Sequence, residues 1–357
     1  MVRSTWVEID VSALKHNFSL VSQHAGVPVC AVVKANGYGH GLVIAARAFA
    51  HDAAMLAVTR IEEARALRDA GIDARIFILA PVANPQEAGE LGCEISVGSL
   101  DQIASLPSDA RAHLIVDTGM GRLGVEPNEA AEAARAIAAR ATLSSIWTHF
   151  ADAAGPSSKS QLQLFAGMAT SLRTVGITVP VHASNSAGTL ALPGARFDMV
   201  RVGTLLYGQD PPGVRAPWTP RDPFALYARV IALRTIPSGS PVGYGSEWRA
   251  KRPTRVATLS VGYTDGFLLE PSARTESVRE SARAAARIAA RATGIRESPR
   301  TVYFGNRRAP VVGRVGMQLI TVDVEGIPDA TEGSVARVPG RRLLVNPSIE
   351  RVVVGDG

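Results

Sequence analysis

Between about residues 10 and 205, short apolar runs alternate with longer Ala-rich stretches of helical spacing. The runs at 29–33 (VCAVV), 55–58 (MLAV), 76–80 (IFILA), 93–97 (CEISV), 113–117 (HLIVD), 144–150 (SSIWTHF), 179–184 (VPVHAS) and 197–202 (FDMVRV) predict eight strands. Helical patterns separate most of them. In TRIEEARALRDAG (59–71), Thr59 with an acid three residues on reads as a capping box, and Gly71 as the stop. Eight strands with intervening helices over this length predict a (β/α)8 barrel. A doubly wound open sheet is the alternative arrangement of the same pattern.

After about residue 220 the texture changes. RVIALRTIPSGSPVGYGSEW (229–248) and the runs around 254–267, 301–324 and 341–354 are strand-like and broken by Gly and Pro turns. The chain therefore divides into a barrel over 10–222 and a mostly β domain over 223–357, which the first strand, 1–9, joins. One helix is expected inside that domain, at 277–294, with Arg279, Arg283, Arg287 and Arg291 along one face.

Barrel enzymes build their sites from loops at the C-terminal ends of the strands. Here those ends carry Lys34 after the first strand, Arg122 after the fifth and His149 after the sixth. His182, Asn185 and Ser186 follow at the seventh, and Arg201, Gly203 and Thr204 at the eighth. The last two loops are the usual phosphate site of such barrels; the Ser186 hydroxyl, backbone N–H groups near Gly203 and Thr204, and the Tyr38 phenol would serve it.

The chain has only four lysines against 34 arginines, yet position 34 is lysine. Unlike arginine, a lysine can lose its proton when buried or near cations and attack a carbonyl. Next to a phosphate site this points to an imine with pyridoxal phosphate, with Arg201 facing the pyridine nitrogen. The net charge of +6 could suggest nucleic acid, but the arginines are spread over helix faces with few aromatics, so no nucleic-acid partner is expected. No run approaches the length of a membrane span and the opening MVRSTWVEID has no uninterrupted apolar run, so neither a span nor a signal peptide is expected. Two cysteines fit a reduced, cytoplasmic protein.

Eight motifs carry a resemblance: AVVKANGYGHG (31–41), DTGMGRLG (117–124), THFA (148–151), NSAG (185–188), MVRVGTLLYG (199–208), VGYGSEW (242–248), SVGYTDGF (260–267) and GRVGM (313–317). In order, they resemble the signature stretches of alanine racemases, pyridoxal-phosphate enzymes built as a barrel plus a β domain. The resemblance implies interconversion of L- and D-alanine, a cell-wall precursor, by a homodimer whose active sites each join one subunit's barrel to the other's β domain. It makes Lys34 the base on one face of the substrate and Tyr244, from the other subunit, the base on the opposite face. Arg122 would meet the cofactor's phenolate oxygen and the substrate carboxylate. Arg201 would face the pyridine nitrogen, supported by His182, with His149 beside it. Tyr38, Asn185, Ser186, Gly203 and Thr204 would hold the cofactor, and Tyr263 and Met317 would line the substrate mouth. A serine or broad-specificity racemase, or a non-catalytic carrier of the cofactor, would use the same scaffold. The chain departs from the family where many members have a carbamylated lysine that braces the arginine: Ile115 stands there. Gly316 and Gln318 replace the usual cysteine and acid of the GRVGM stretch.

Overall fold

The computed structural model describes residues 3–268 and 300–355, together with three isolated positions between them. Apart from those three positions, the helix expected over 277–294 lies outside the described residues. The chain divides into two units, one centred on residues 10–223 and the other on 224–353 with the N-terminal strand.

In the first unit, helix α1 (Val11–Ala25) starts where the Asp10 carboxylate accepts the Ala13 N–H at 2.9 Å and ends at Gly26, in the left-handed region. Val11, Leu14, Phe18, Val21 and Ala25, spaced three and four apart, form its buried stripe. Asn17 on the same helix is buried as a polar latch: it donates to the Leu206 and Arg221 carbonyls at 3.2 and 2.8 Å and accepts the Arg221 N–H at 2.9 Å.

With β1 being Thr5–Asp10, the strands that follow are β2 (Val29–Val32), β3 (Met55–Val58), β4 (Ile76–Ile78), β5 (Cys93–Val97), β6 (Arg111–Ile115), β7 (Thr142–Trp147), β8 (Val181–His182) and β9 (Val200–Val202). They pair in parallel in sequence order, and β9 returns to β2 with Cys30 opposite Arg201. The seam between β8 and β9 is closed without a regular ladder. Asp198 N–H donates to the Val181 carbonyl at 3.1 Å, the Asp198 carboxylate accepts the Val181 N–H at 2.7 Å, and Arg201 N–H reaches Ser184 O at 2.9 Å. The sheet is thus a (β/α)8 barrel and not a doubly wound layer. Cys30, Val32, Met55, Ala57, Phe77, Ile115, Trp147 and Met199 fill its interior.

Two local expectations need correcting. Strand β7 ends at Trp147, so Thr148 and His149 begin the loop and do not extend the strand. The helix after β3 is Ile61–Asp69, capped at Arg60: the Glu63 carboxylate accepts the Thr59 and Arg60 N–H groups at 2.9 and 3.1 Å. The true cap lies one residue later because Glu63, not Glu62, turns back.

The second unit is a mostly β domain. Its strands are β1 with β10 (Phe224–Ile236), β11 (Pro241–Val242), β12 (Trp248–Arg249), β13 (Thr254–Leu259), β14 (Thr301–Phe304), β15 (Arg307–Val312), β16 (Ile320–Asp323), β17 (Val335–Val338) and β18 (Arg351–Val354). The long strand β10 shifts register between Val230 and Ala232, so one part pairs with β17 and the other with β13. That double use closes β13, β16, β15, β14, β17 and β10 into an antiparallel ring, with β1 attached beside β10 and β18 beside β1. Ile236, Val242, Ala250, Val256 and Val312 form a buried core in this unit.

Candidate active site

The chain leaves β2 through Lys34 into a turn of left-handed helix. Ala35, Asn36 and Tyr38 all have positive φ (53°, 55° and 53°), as do Gly37 between them and Gly39 after them. For a residue with a Cβ this conformation costs roughly 1–2 kcal/mol, so the surroundings must impose it. They do so with polar anchors: Ala35 N–H donates to Glu63 Oε1 at 2.7 Å, and Leu42 N–H donates to Asn36 Oδ1 at 2.9 Å. A Cβ on Gly37 would come within 2.9 Å of Ala45 Cβ, which explains why the tightest point of the turn lacks a side chain. The turn aims Tyr38 back over the barrel, stacked on the buried Tyr207 at 4.7 Å between centroids. Tyr207 in turn donates its hydroxyl to the Val32 carbonyl at 3.1 Å.

At the opposite side of the mouth, Gly203 N–H donates to Ser186 Oγ at 3.2 Å. A Cβ on Gly203 would fall 2.3 Å from Tyr38 Oη, so the glycine is a condition for the ring's seat. The Ser186 hydroxyl, the Gly203 backbone and the Tyr38 phenol therefore converge as a donor-rich cradle, with Thr204 next to it on the cavity wall. Burial pushes the Tyr38 phenol up to about 12, which keeps it a protonated donor. Asn185 caps the following helix, accepting the Gly188 N–H at 2.9 Å, and holds its amide 3.5 Å from His149 Nε2.

One cavity of about 510 Å³ collects these groups. Lys34, Tyr38, Arg122, His149, Asn185, Ser186, Arg201, Gly203 and Thr204 all line it, as the barrel motif predicts. Burial, then the charge of Arg122, lowers the Lys34 ammonium below its ordinary value. The same forces act harder on His149: burial, then the cations of Arg201, Arg122 and Lys34, bring it to about 3, so its imidazole is neutral. Arg201 is buried, and burial lowers it to about 10, leaving it charged at neutral pH. Its NH1 donates to His182 Nδ1 at 2.6 Å and its NH2 to the Thr148 carbonyl at 2.6 Å, with His149 Nδ1 at 3.3 Å. Its guanidinium lies 4.5 Å from the centroid of the Trp147 ring.

Arg122 rides on a loop organised by Asp117, whose carboxylate accepts the N–H groups of Gly119, Met120 and Arg122 at 2.8, 2.7 and 3.2 Å. Among the described residues no side-chain partner of its guanidinium is found, and Ile115 below it is packed into the barrel core. His182 lies under Arg201, not on the cavity wall.

The remaining candidates belong to the β unit. Tyr244 is 76% exposed, Tyr263 43% and Met317 61%. Tyr263 and Met317 stand in one hydrogen-bonded turn, since Thr264 N–H donates to the Met317 carbonyl at 3.0 Å and Tyr263 N–H to the Gly316 carbonyl at 3.1 Å. The Tyr244 loop follows β11, and a Cβ on Gly243 would sit 3.2 Å from Arg314 N.

The sequence reading missed Trp147 and Thr59, both on the cavity wall. Trp147 could have been suspected from its place directly before the THF stretch. The spacing makes Thr59 a helix cap; with Arg60 in that role, its hydroxyl has no hydrogen-bond partner among the described residues.

The family follows from comparison with known proteins. The family model for the N-terminal domain of alanine racemase matches residues 9–211, and that for its C-terminal domain matches 224–353. The alanine racemase of Deinococcus radiodurans is 34% identical over 328 residues, covering 89% of this chain and 85% of that protein. Among solved structures, alanine racemase from D-cycloserine-producing Streptomyces lavendulae matches with a TM-score of 0.81 at 28% identity, over 100% of this chain and 98% of that one. Alanine racemase from Bartonella henselae, solved with covalently bound pyridoxal phosphate, matches with a TM-score of 0.77 at 26% identity, over 99% and 100% of the two chains.

Proposed function

The chain belongs to the alanine racemase family, and we propose that it interconverts L- and D-alanine with pyridoxal phosphate in a cytoplasmic homodimer. The observation that carries this reading is one cavity in which a lysine of lowered pKa, a donor-rich cradle and a buried arginine meet. Pyridoxal phosphate fits the donor set: Ser186, Gly203, Thr204 and Tyr38 would take its phosphate, Lys34 its carbonyl carbon and Arg201 its ring nitrogen. When bound, it would supply an electron sink that acidifies the substrate Cα–H.

The protein's own residues do the rest. Lys34, in its neutral form, takes the Cα proton on one face of the substrate or returns it there. A racemase needs a second proton carrier on the opposite face, and we assign it to the Tyr244 phenol of a second copy. Tyr244 is exposed on its own unit and has no role in that unit's core. A phenolate is an anion, so cations beside it favour a phenol's work as a base; Arg122 and Arg201 are the available ones. Arg122, its guanidinium without a protein partner among the described residues, is free to take the substrate carboxylate. Arg201 stays protonated, so it would present a donor to the ring nitrogen and oppose that atom's protonation. Such a donor would limit the electron sink and favour proton return over loss of the amino group. Tyr263 and Met317 would then narrow the entrance, where serine is the alternative substrate.

The test is the optical rotation of L-alanine incubated with the purified protein and added pyridoxal phosphate, with Lys34→Ala as the blank and L-serine run in parallel. Decay to zero with the wild type alone is expected. Unchanged rotation of both amino acids, with the cofactor bound, would leave a carrier and not an enzyme.

A further inference from the structure

Arg201 is the end of a chain of hydrogen bonds that crosses the barrel interior. His182 Nε2 lies 2.7 Å from Ser145 Oγ, Ser145 Oγ lies 2.6 Å from His113 Nδ1, and His113 Nε2 lies 3.1 Å from Glu94 Oε2. Glu94 Oε1 accepts from Arg75 Nε at 2.7 Å, and Arg75 is half exposed at the far end of the barrel. Register explains the proximity: His113 pairs with Ser145 across β6 and β7, Ser96 with His113 across β5 and β6, and Trp147 with His182 across β7 and β8. His182, Ser145, His113 and Glu94 are each at most 3% exposed, so each of these groups must find its partner inside the protein.

The donor identities allow one direction only. Arg201 NH1 can only donate, so His182 Nδ1 accepts and the His182 proton sits on Nε2. That Nε2–H donates to Ser145 Oγ, whose single proton goes on to His113 Nδ1. The His113 proton then sits on Nε2 and donates to the Glu94 carboxylate. The electrostatics agree at every step. Burial, then the charge of Arg201, holds His182 far below its ordinary value, and burial lowers His113, so both rings are neutral. Burial pushes the Glu94 carboxyl up, but hydrogen bonds from His113 and Arg75 outweigh it and keep Glu94 ionised. Each link has one donor and one acceptor, and the chain ends on a charge.

We propose that Glu94, His113 and Ser145 are positioning residues for Arg201: they give the His182 Nε2–H its acceptor and so hold the ring where its Nδ1 takes the guanidinium, which would face the cofactor's ring nitrogen. None of the three lines the cavity. Ser145 is the vulnerable link, since its one hydroxyl both accepts from His182 and donates to His113. The inference rests on the racemase reading for its consequence in turnover, but not for the tautomers.

The experiment is ¹⁵N NMR of the imidazole nitrogens in the apoprotein, combined with steady-state kinetics of the holoenzyme. In the wild type, His113 and His182 should each show a protonated Nε2 and an unprotonated Nδ1. Ser145→Ala leaves the His182 Nε2–H without its acceptor, so the ring should leave its wild-type seat, which shifts the His182 ¹⁵N signals, and kcat should fall about tenfold with little change in KM. Ser145→Thr, which keeps the hydroxyl, should restore both. Should Ser145→Ala fold poorly, Glu94→Gln carries the test: the relay then ends on a neutral acceptor, and His113 should lose its single tautomer. A wild-type His182 protonated on Nδ1 would overturn the proposal. So would unchanged His182 signals and kcat in folded Ser145→Ala. If the wild type shows the expected tautomers but never racemises, the racemase reading falls and the relay stands.

Discussion

Substituting Gly203 by alanine tests the cofactor cradle most sharply. The new Cβ would lie 2.3 Å from Tyr38 Oη, 2.6 Å from its Cζ and 3.1 Å from its Cε2. The backbone at Gly203 has φ −121°, so alanine meets no strain from handedness there; the obstacle is the ring. Tyr38 must swing away and give up its stack on Tyr207, which costs the apoprotein about 0.5–1.5 kcal/mol. The holoenzyme loses in addition a phenol-to-phosphate hydrogen bond, about 1.5–3 kcal/mol for a charged acceptor. At about 1.4 kcal/mol per tenfold, pyridoxal phosphate should bind about 10- to 100-fold more weakly, while the urea midpoint of the apoprotein moves only slightly. Absorbance titration of the apoprotein with the cofactor reads the first effect, and urea unfolding reads the second. Tyr38→Phe alone should lose similar affinity, and the double variant should bind little worse than Gly203→Ala, since that variant has already displaced the phenol. Cofactor binding at wild-type strength in Gly203→Ala would refute the cradle, as would strictly additive losses.

Lys34→Arg should abolish racemisation as completely as Lys34→Ala, because a guanidinium stays protonated; measurable turnover would show that no neutral amine is needed at this position. Lys34→Ala and Tyr244→Phe, each inactive alone, should recover about a quarter of wild-type activity when refolded together in equal amounts, because half the dimers then hold one intact site. No recovery in demonstrated mixed dimers would remove the shared site. Acid should weaken the apoprotein early. His113, His149 and His182 all titrate lower in the folded chain than when unfolded, so the unfolded state binds the extra protons as pH falls below about 6.5. Stability is fully present above that pH and is lost below it, before the depressed Glu94 contributes its own loss below the ordinary carboxylate range. A urea midpoint that stays flat between pH 7 and 5 would contradict the neutral, buried state of these rings.

Much of the barrel could be read from spacing. The eight apolar runs fall on β2 to β9, and the polar residues at their C-terminal ends line one cavity, because strand alternation and the parallel order together fix which end each loop occupies. Other features depend on the fold. Ala35, Asn36 and Tyr38 carry no local mark of a left-handed turn beyond the nearby glycines; anchors such as Glu63, well outside the motif, impose it. The Glu94–His113–Ser145–His182 chain draws on four strands, and each member alone is an ordinary polar residue in an apolar run. The closure by Asp198 is likewise invisible until β8 and β9 are adjacent. Thr59 misled because two neighbouring acids, Glu62 and Glu63, could each have completed the cap.

The most direct measurement of the two-base account is α-proton exchange in deuterium oxide, followed by proton NMR for L- and D-alanine separately, with the wild type and Tyr244→Phe. The wild type should exchange and invert both enantiomers. Tyr244→Phe should still exchange the proton of the one enantiomer that presents it to Lys34, without inversion, and leave the other untouched. Exchange of both enantiomers with continued inversion in Tyr244→Phe would contradict the account, since one carrier would then be serving both faces.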